Sequence, residues 1–238
     1  CSDVRSHNYA DETIRSINAT FRKLINLCYK KKLVKENILD YADNIKTRSK
    51  EDYRVISKEE FDEIDNYLKN NSFYRLGVNC YPKYRLLVNI LYYTGVRIGE
   101  CLALTYNDLE EFDYYKKTDE KSVVIAPSSQ LSEEKHLRGW RLIVNKAYVS
   151  DIKIAKDTKN FKHRKIPLSP APTRLFMRIK QEHIMNGGNL DERIFSQTHG
   201  AVNMMIGNVC KKLKLPEYNC HEFRHTFISN LISKGVPL

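Results

Sequence analysis

No two of the six cysteines form a C-x-x-C pair, and their positions (1, 28, 80, 101, 210 and 220) follow no framework spacing. A disulfide scaffold is therefore excluded, and the thiols are expected to be reduced and mostly buried. No apolar run approaches the length of a membrane span, and the N-terminus lacks the layout of a secretory signal. The expectation is a soluble protein of the cytoplasm, with no membrane partner. There is no internal repeat and no low-complexity tract. Carboxylates are also in short supply: 29 Asp+Glu stand against 40 Lys+Arg, a formal charge of +11. That imbalance points to a polyanionic partner, most simply DNA or RNA.

What is present is enough for a substantial core. The 238 residues, 42% of them hydrophobic, suit one large domain or a large domain with a smaller companion, and neither disulfides nor a structural metal are needed. The chain begins at Cys1 rather than at methionine, the beginning expected of a fragment.

Hydrophobic periodicity divides the chain. From Ala10 to about Asn44, the positions Ile14, Ile17, Phe21, Leu24, Ile25 and Cys28 recur at helical steps, and Leu33, Ile38 and Leu39 lead into a further short helical piece. Residues 45–52 are polar and charged, as a linker would be. Ser57-Lys58-Glu59-Glu60 spells a capping box, opening a helix through Phe61, Ile64 and Leu68. A helix over Pro82–Tyr93 should stop at Thr94-Gly95, and another should start near Val96 with Arg97 in its first turn, beside backbone N–H groups that favour an anion.

The middle changes period. Val123–Ile125, Leu142–Val144, Ile152–Ile154 and Lys165–Leu168 are short β-type runs, and the last two are predicted to form a hairpin with a lysine-rich tip across Lys156 to His163. Helical pattern returns near Thr173, breaks at Gly187-Gly188, and resumes over Val202–Leu213 and Cys220–Ser233. Helices, a small sheet and helices again make the fold class α+β.

The last helix carries His221-Glu222-Phe223-Arg224-His225. This is H-E-x-x-H, the zinc-peptidase pattern, and it is also H-x-x-R, which sets an imidazole and a guanidinium on one helix face, suited to a phosphate. Phe223, Phe227 and Leu231 form the opposite, core-facing stripe. Catalytic zinc needs three protein ligands, yet the residues after His225 include no His, Asp, Glu or Cys. The phosphate reading is the stronger of the two.

Three stretches, YYTGVRIGECLALTYNDL, KIAKDTKNFKHRKIPLSP and HEFRHTF, resemble in order and spacing the catalytic domain of the tyrosine recombinases, the phage-integrase family. Integrases of phages and conjugative transposons are the nearest kind. The resemblance implies a mostly helical α+β catalytic domain over residues 51–238 with a small antiparallel sheet, ending before the nucleophilic tyrosine. Residues 1–50 would be the C-terminal part of an all-α core-binding domain and a linker. It further implies that Arg97, His221 and Arg224 are catalytic, together with a lysine of the β-hairpin. Counting back from Arg164 to Leu168 favours Lys159, with Lys156 as the alternative. Glu100 takes the acidic position that supports the first arginine.

The family's chemistry suits these residue types. A tyrosine attacks a DNA phosphodiester, forms a 3′-phosphotyrosyl bond and releases a 5′-hydroxyl. Two arginines can hold the charged phosphoryl oxygens bidentately, and preorganised donors of this kind contribute about 3 kcal/mol each to the transition state. His221 can hydrogen-bond or accept the tyrosine proton, and the lysine can protonate the leaving oxygen. Neither metal nor nucleotide cofactor is required, because the covalent intermediate conserves the phosphodiester energy.

The implied partners are double-stranded DNA at element ends and target site, further recombinase protomers assembled as a tetramer on DNA, and accessory DNA-bending or excision proteins. The implied location is the bacterial cytoplasm, at the nucleoid. Lys30-Lys31-Lys32 adds a basic run. None of the fifteen tyrosines stands in the context of the nucleophile, and residues 112–140 form a longer insertion than the family pattern leads one to expect. Three other readings stay open at this point: a DNA-binding relative without catalysis, a zinc metallopeptidase using HEFRH, and a type IB topoisomerase.

Overall fold

The computed structural model describes residue 9 and residues 11–42, 54–116, 123–124, 137–149, 154–157 and 163–236. The chain divides into two compact units, Cys1–Asp52 and Tyr53–Leu238.

In the first unit, helix α1 spans Asp11–Lys30 and a 3-10 turn spans Ile38–Tyr41. The helix ends without glycine: Lys32 takes φ 57, and the N–H of Leu33 reaches back to the Cys28 carbonyl at 2.9 Å. This satisfies a carbonyl that the helix end would otherwise leave open. Asn37 caps the 3-10 turn by accepting the Leu39 N–H at 3.2 Å.

The second unit is built around one helix. After α2 (Lys58–Asn70) and a two-residue hairpin, β1 (Tyr74–Arg75) with β2 (Val78–Asn79), comes α3, Tyr81–Thr94. Its Leu86, Leu87, Val88, Ile90 and Leu91 are all fully buried. A helix apolar on every side belongs inside a core, and α3 is packed by α2 and by four elements that follow. The Ser57 capping box forms as spelled, with Glu60 N–H to Ser57 Oγ at 3.1 Å and Ser57 N–H to Glu60 Oε2 at 2.8 Å. Where α2 meets α3, Arg85 donates to both oxygens of Asp65 at 2.8 and 2.7 Å.

Next come the short α4 (Ile98–Ala103), β3 (Leu109–Lys116), β4 (Val123–Val124), β5 (Leu137–Val144), β6 (Lys146–Val149), β7 (Ile154–Asp157) and β8 (Arg164–Leu168). Helices α5 (Pro170–Met185), α6 (His199–Leu213) and α7 (Cys220–Ser233) close the unit. The main sheet is antiparallel in the order β4-β3-β5-β8, and β6 and β7 pair separately. The class is α+β, as the sequence indicates. No helix among the described residues is long and apolar enough to cross a membrane.

The predicted hairpin is corrected. β7 does not pair with β8; it pairs with β6, with Val149 opposite Ile154, while β8 pairs with β5, with Leu142 opposite Ile166. The reason lies in side-chain alternation. Ile166 and Leu168 need the covered face beside the buried Leu142, whereas Ile154 is exposed. Strands on such different surfaces do not share a ladder.

Candidate active site

Helix α3 must stop abruptly for the site to form. Gly95 takes φ 60, ψ 21 and donates its N–H to Leu91 O at 3.0 Å. A Cβ on Gly95 would lie 2.3 Å from Cδ1 of Phe227, so the turn sits directly against the ring of α7. Glycine is required here twice, for the left-handed backbone and for the close approach. The turn leaves the Gly95 carbonyl pointing at α7, where it accepts a hydrogen bond from Nη1 of Arg224.

Arg97 follows two residues later as the N-cap of α4, rather than inside its first turn. Its own N–H is taken by Glu100 Oε2 at 2.8 Å, and its Nη1 lies 3.4 Å from Glu100 Oε1. The two ends of this pair differ sharply: the Arg97 side chain is 64% exposed and that of Glu100 3%. Glu100 is held from the other side by Arg164 at the start of β8, with Nη1 to Oε1 at 3.2 Å and Nη2 to Oε2 at 2.5 Å. Burial pushes the Glu100 carboxyl up, but the hydrogen bonds from Arg164 and the Arg97 N–H, with both guanidinium charges, bring it below its usual range. Glu100 is therefore a carboxylate at neutral pH.

Burial and the charge of Arg97 lower the pKa of Arg224, which also feels Glu100 and Arg164. Three guanidiniums thus share one carboxylate, leaving a surplus of positive charge beside a half-exposed surface. Such a surplus suits a phosphate.

His221 stands at the start of α7. Its pKa is lowered by burial first, then by His225 and by the Arg224 charge, against an opposite push from Glu222 that exceeds the further lowering by Arg97. Its ring is therefore neutral at neutral pH and able to accept a proton. The rings of His221 and His225 lie edge to face with centroids 4.3 Å apart. Glu222 completes the helix cap, its Oε2 accepting the Asn219 N–H at 2.5 Å while Asn219 Oδ1 accepts the His221 N–H at 2.8 Å. The glutamate of H-E-x-x-H thus has a structural task. Among the described residues, no group of three or more His, Cys, Asp or Glu is placed to hold a metal.

No family model matches the sequence, and no curated protein matches it either. Solved structures do match. The Tn1549 transposon integrase in complex with a circular intermediate DNA is 17% identical, aligned over 99% of this chain and 71% of its own, with a TM-score of 0.65. The same integrase with transposon right end DNA gives a TM-score of 0.64 at 17% identity and the same coverage. The XerH site-specific recombinase bound to palindromic difH substrate is 15% identical over 82% of this chain and 46% of its own, with a TM-score of 0.52. The chain has the tyrosine-recombinase fold.

Within that fold, Arg97, Glu100 and Arg224 come together, with His221 close enough for the arginine charges to reach it. The lysine assignment cannot be followed to the same point: Lys159 lies outside the described residues, as does the side chain of Lys156, whose backbone belongs to β7. Most of the 112–140 insertion lies outside them as well. The β6–β7 pair is nonetheless anchored to the site, since the Tyr148 carbonyl would lie only 3.1 Å from a Cβ on Gly99 of α4. Sequence reasoning used Arg164 merely as a counting mark. A signal for it exists: Arg164, Ile166 and Leu168 share the less exposed face of β8, so strand period alone turns this arginine toward the interior.

Proposed function

We propose that this chain is the DNA-cleaving part of a tyrosine-type site-specific recombinase, which integrates or excises a mobile element through a 3′-phosphotyrosyl intermediate. Residues 1–50 belong to a core-binding domain that grips DNA, and residues 51–238 to the catalytic domain. The observation that carries this reading is the gathering of Arg97 and Arg224 about the Gly95 turn, with the buried carboxylate of Glu100 behind them. Fold likeness to two DNA-bound recombinases supports it.

In the reaction, the tyrosine oxygen attacks phosphorus and the bond from phosphorus to O5′ breaks. Arg97 and Arg224 bind the non-bridging oxygens, whose charge grows in the transition state. Neutral His221 takes the tyrosine proton or donates to the phosphate, and Lys159, or Lys156 in its place, protonates O5′. The substrate is duplex DNA at element ends and target site, handled by protomers assembled on it, with accessory DNA-bending or excision proteins, at the bacterial nucleoid.

The test uses the full-length natural protein with nicked suicide substrates carrying its element's ends, in EDTA, on a denaturing gel. The expected result is a protein–DNA adduct, lost in Arg97→Ala and Arg224→Ala. Tight binding without adduct would replace this reading with a DNA-binding relative. Activity restored only by zinc would return the site to H-E-x-x-H.

A further inference from the structure

Glu100 is almost wholly buried, and each element packed around it brings a charge or a titratable group to it. Arg97 approaches from the head of its own helix and Arg164 from β8. Arg224 of α7 feels its charge. Lys146 of β6 and Asp108 line the small cavity beside it, Asp108 being bonded to Thr105 N–H and Oγ1 at 2.7 and 2.9 Å. The neighbouring Cys101 thiol is kept neutral by burial. Among these groups Arg164 alone grips both carboxylate oxygens, at 3.2 and 2.5 Å, whereas the Arg97 guanidinium touches one at 3.4 Å.

The division of labour is physical. A buried carboxylate without a full partner attracts the nearest mobile cation or takes up a proton. If Arg164 were absent, the nearest mobile cation would be the Arg97 guanidinium, exposed and only loosely held. A guanidinium pulled into a two-pronged pair with Glu100 has fewer N–H groups left for a phosphate.

We infer that Arg164 is a positioning residue of the recombinase site: by saturating Glu100 it keeps the Arg97 guanidinium turned outward and available to the scissile phosphate. This rests on the reading under Proposed function.

The experiment compares wild-type, Arg164→Gln and Arg164→Lys forms of the full-length protein. Single-turnover cleavage of the suicide substrate is followed from pH 5.5 to 8.5, alongside DNA affinity and melting temperature. Misdirecting Arg97 should slow cleavage by Arg164→Gln about 100-fold, with DNA bound no more weakly than by Arg97→Ala, because every phosphate-facing group other than Arg97 remains.

The pH profile separates positioning from mere loss of folding. With its main partner gone, Glu100 binds a proton more readily, and a neutral carboxyl no longer holds Arg97, so the deficit of Arg164→Gln against wild type should narrow as pH falls within this window, where wild-type Glu100 remains ionised. Unfolding would lower both affinity and rate together. Arg164→Lys keeps the charge and one of the two contacts, so it should recover about tenfold and return the pH profile toward that of wild type.

The inference fails by itself if wild type forms adduct and either Arg164→Gln or, should that variant not fold, Arg164→Lys cleaves at the wild-type rate with the wild-type pH profile. Absence of adduct from wild type would overturn the functional reading, and this inference with it.

Discussion

His221 shows how much a single side chain takes from its surroundings. Its position in H-E-x-x-H admits two chemistries, and what separates them is that Glu222 is bonded to the Asn219 N–H and two arginine charges press on the imidazole. The shift has a definite sign. A histidine whose folded pKa lies below its ordinary 6.5 is proton-poor in the folded state, so its contribution to stability is present above 6.5 and lost as pH falls through the folded value. The cleavage rate should behave alike, level from pH 7 to 8 and falling only below the ordinary imidazole value. Because the His225 charge is one of the lowering causes, His225→Asn should move that acid limb to higher pH in a single-turnover rate profile. Arg97 and Glu100 are legible from sequence as an i, i+3 pair. Their unequal burial is not, because it depends on β8 bringing Arg164 to the far side.

Helix α7 illustrates what an element can encode locally. Asn219 and Glu222 form its capping box, and Phe223 is fully buried, so its limits and inward face follow from spacing alone. Its depth in the core depends on others. The Thr226 hydroxyl donates to Glu222 O and accepts the Ile56 N–H at 2.9 Å, tying the helix to a segment 170 residues earlier. Phe227 lies against Gly95. Gly95→Ala should therefore cost about 2–4 kcal/mol, from the left-handed backbone and the ring overlap together. The denaturation midpoint in urea would register it, and Phe227→Leu in the same background should restore part of the loss. Helix ends at Lys32 and Lys214 are less legible, since both residues take φ 57 where sequence rules look for glycine. The strands are less legible still: β3 and β6 escape periodicity, and β7 joins a sheet other than the one its spacing suggests.

For the molecule as a whole, the decisive quantity is positive charge. Binding to duplex DNA should weaken with salt along a straight line of log affinity against log concentration, with a slope of about −0.9 per phosphate contacted. Arg97→Ala and Arg224→Ala should each make that slope shallower by about 1, measured by fluorescence anisotropy, if both side chains meet phosphates. An unchanged slope would mean that neither does. The basic excess, the α+β order, the helix caps and the residue types of the clamp are all determined by the order of amino acids, because each depends on composition or on neighbours within one or two turns. The meeting of Arg97, Glu100, Arg164 and Arg224 is a tertiary decision. It requires the Gly95 turn to face Phe227 and β8 to lie beside β5, contacts between residues far apart in sequence that only the packed core around α3 brings together.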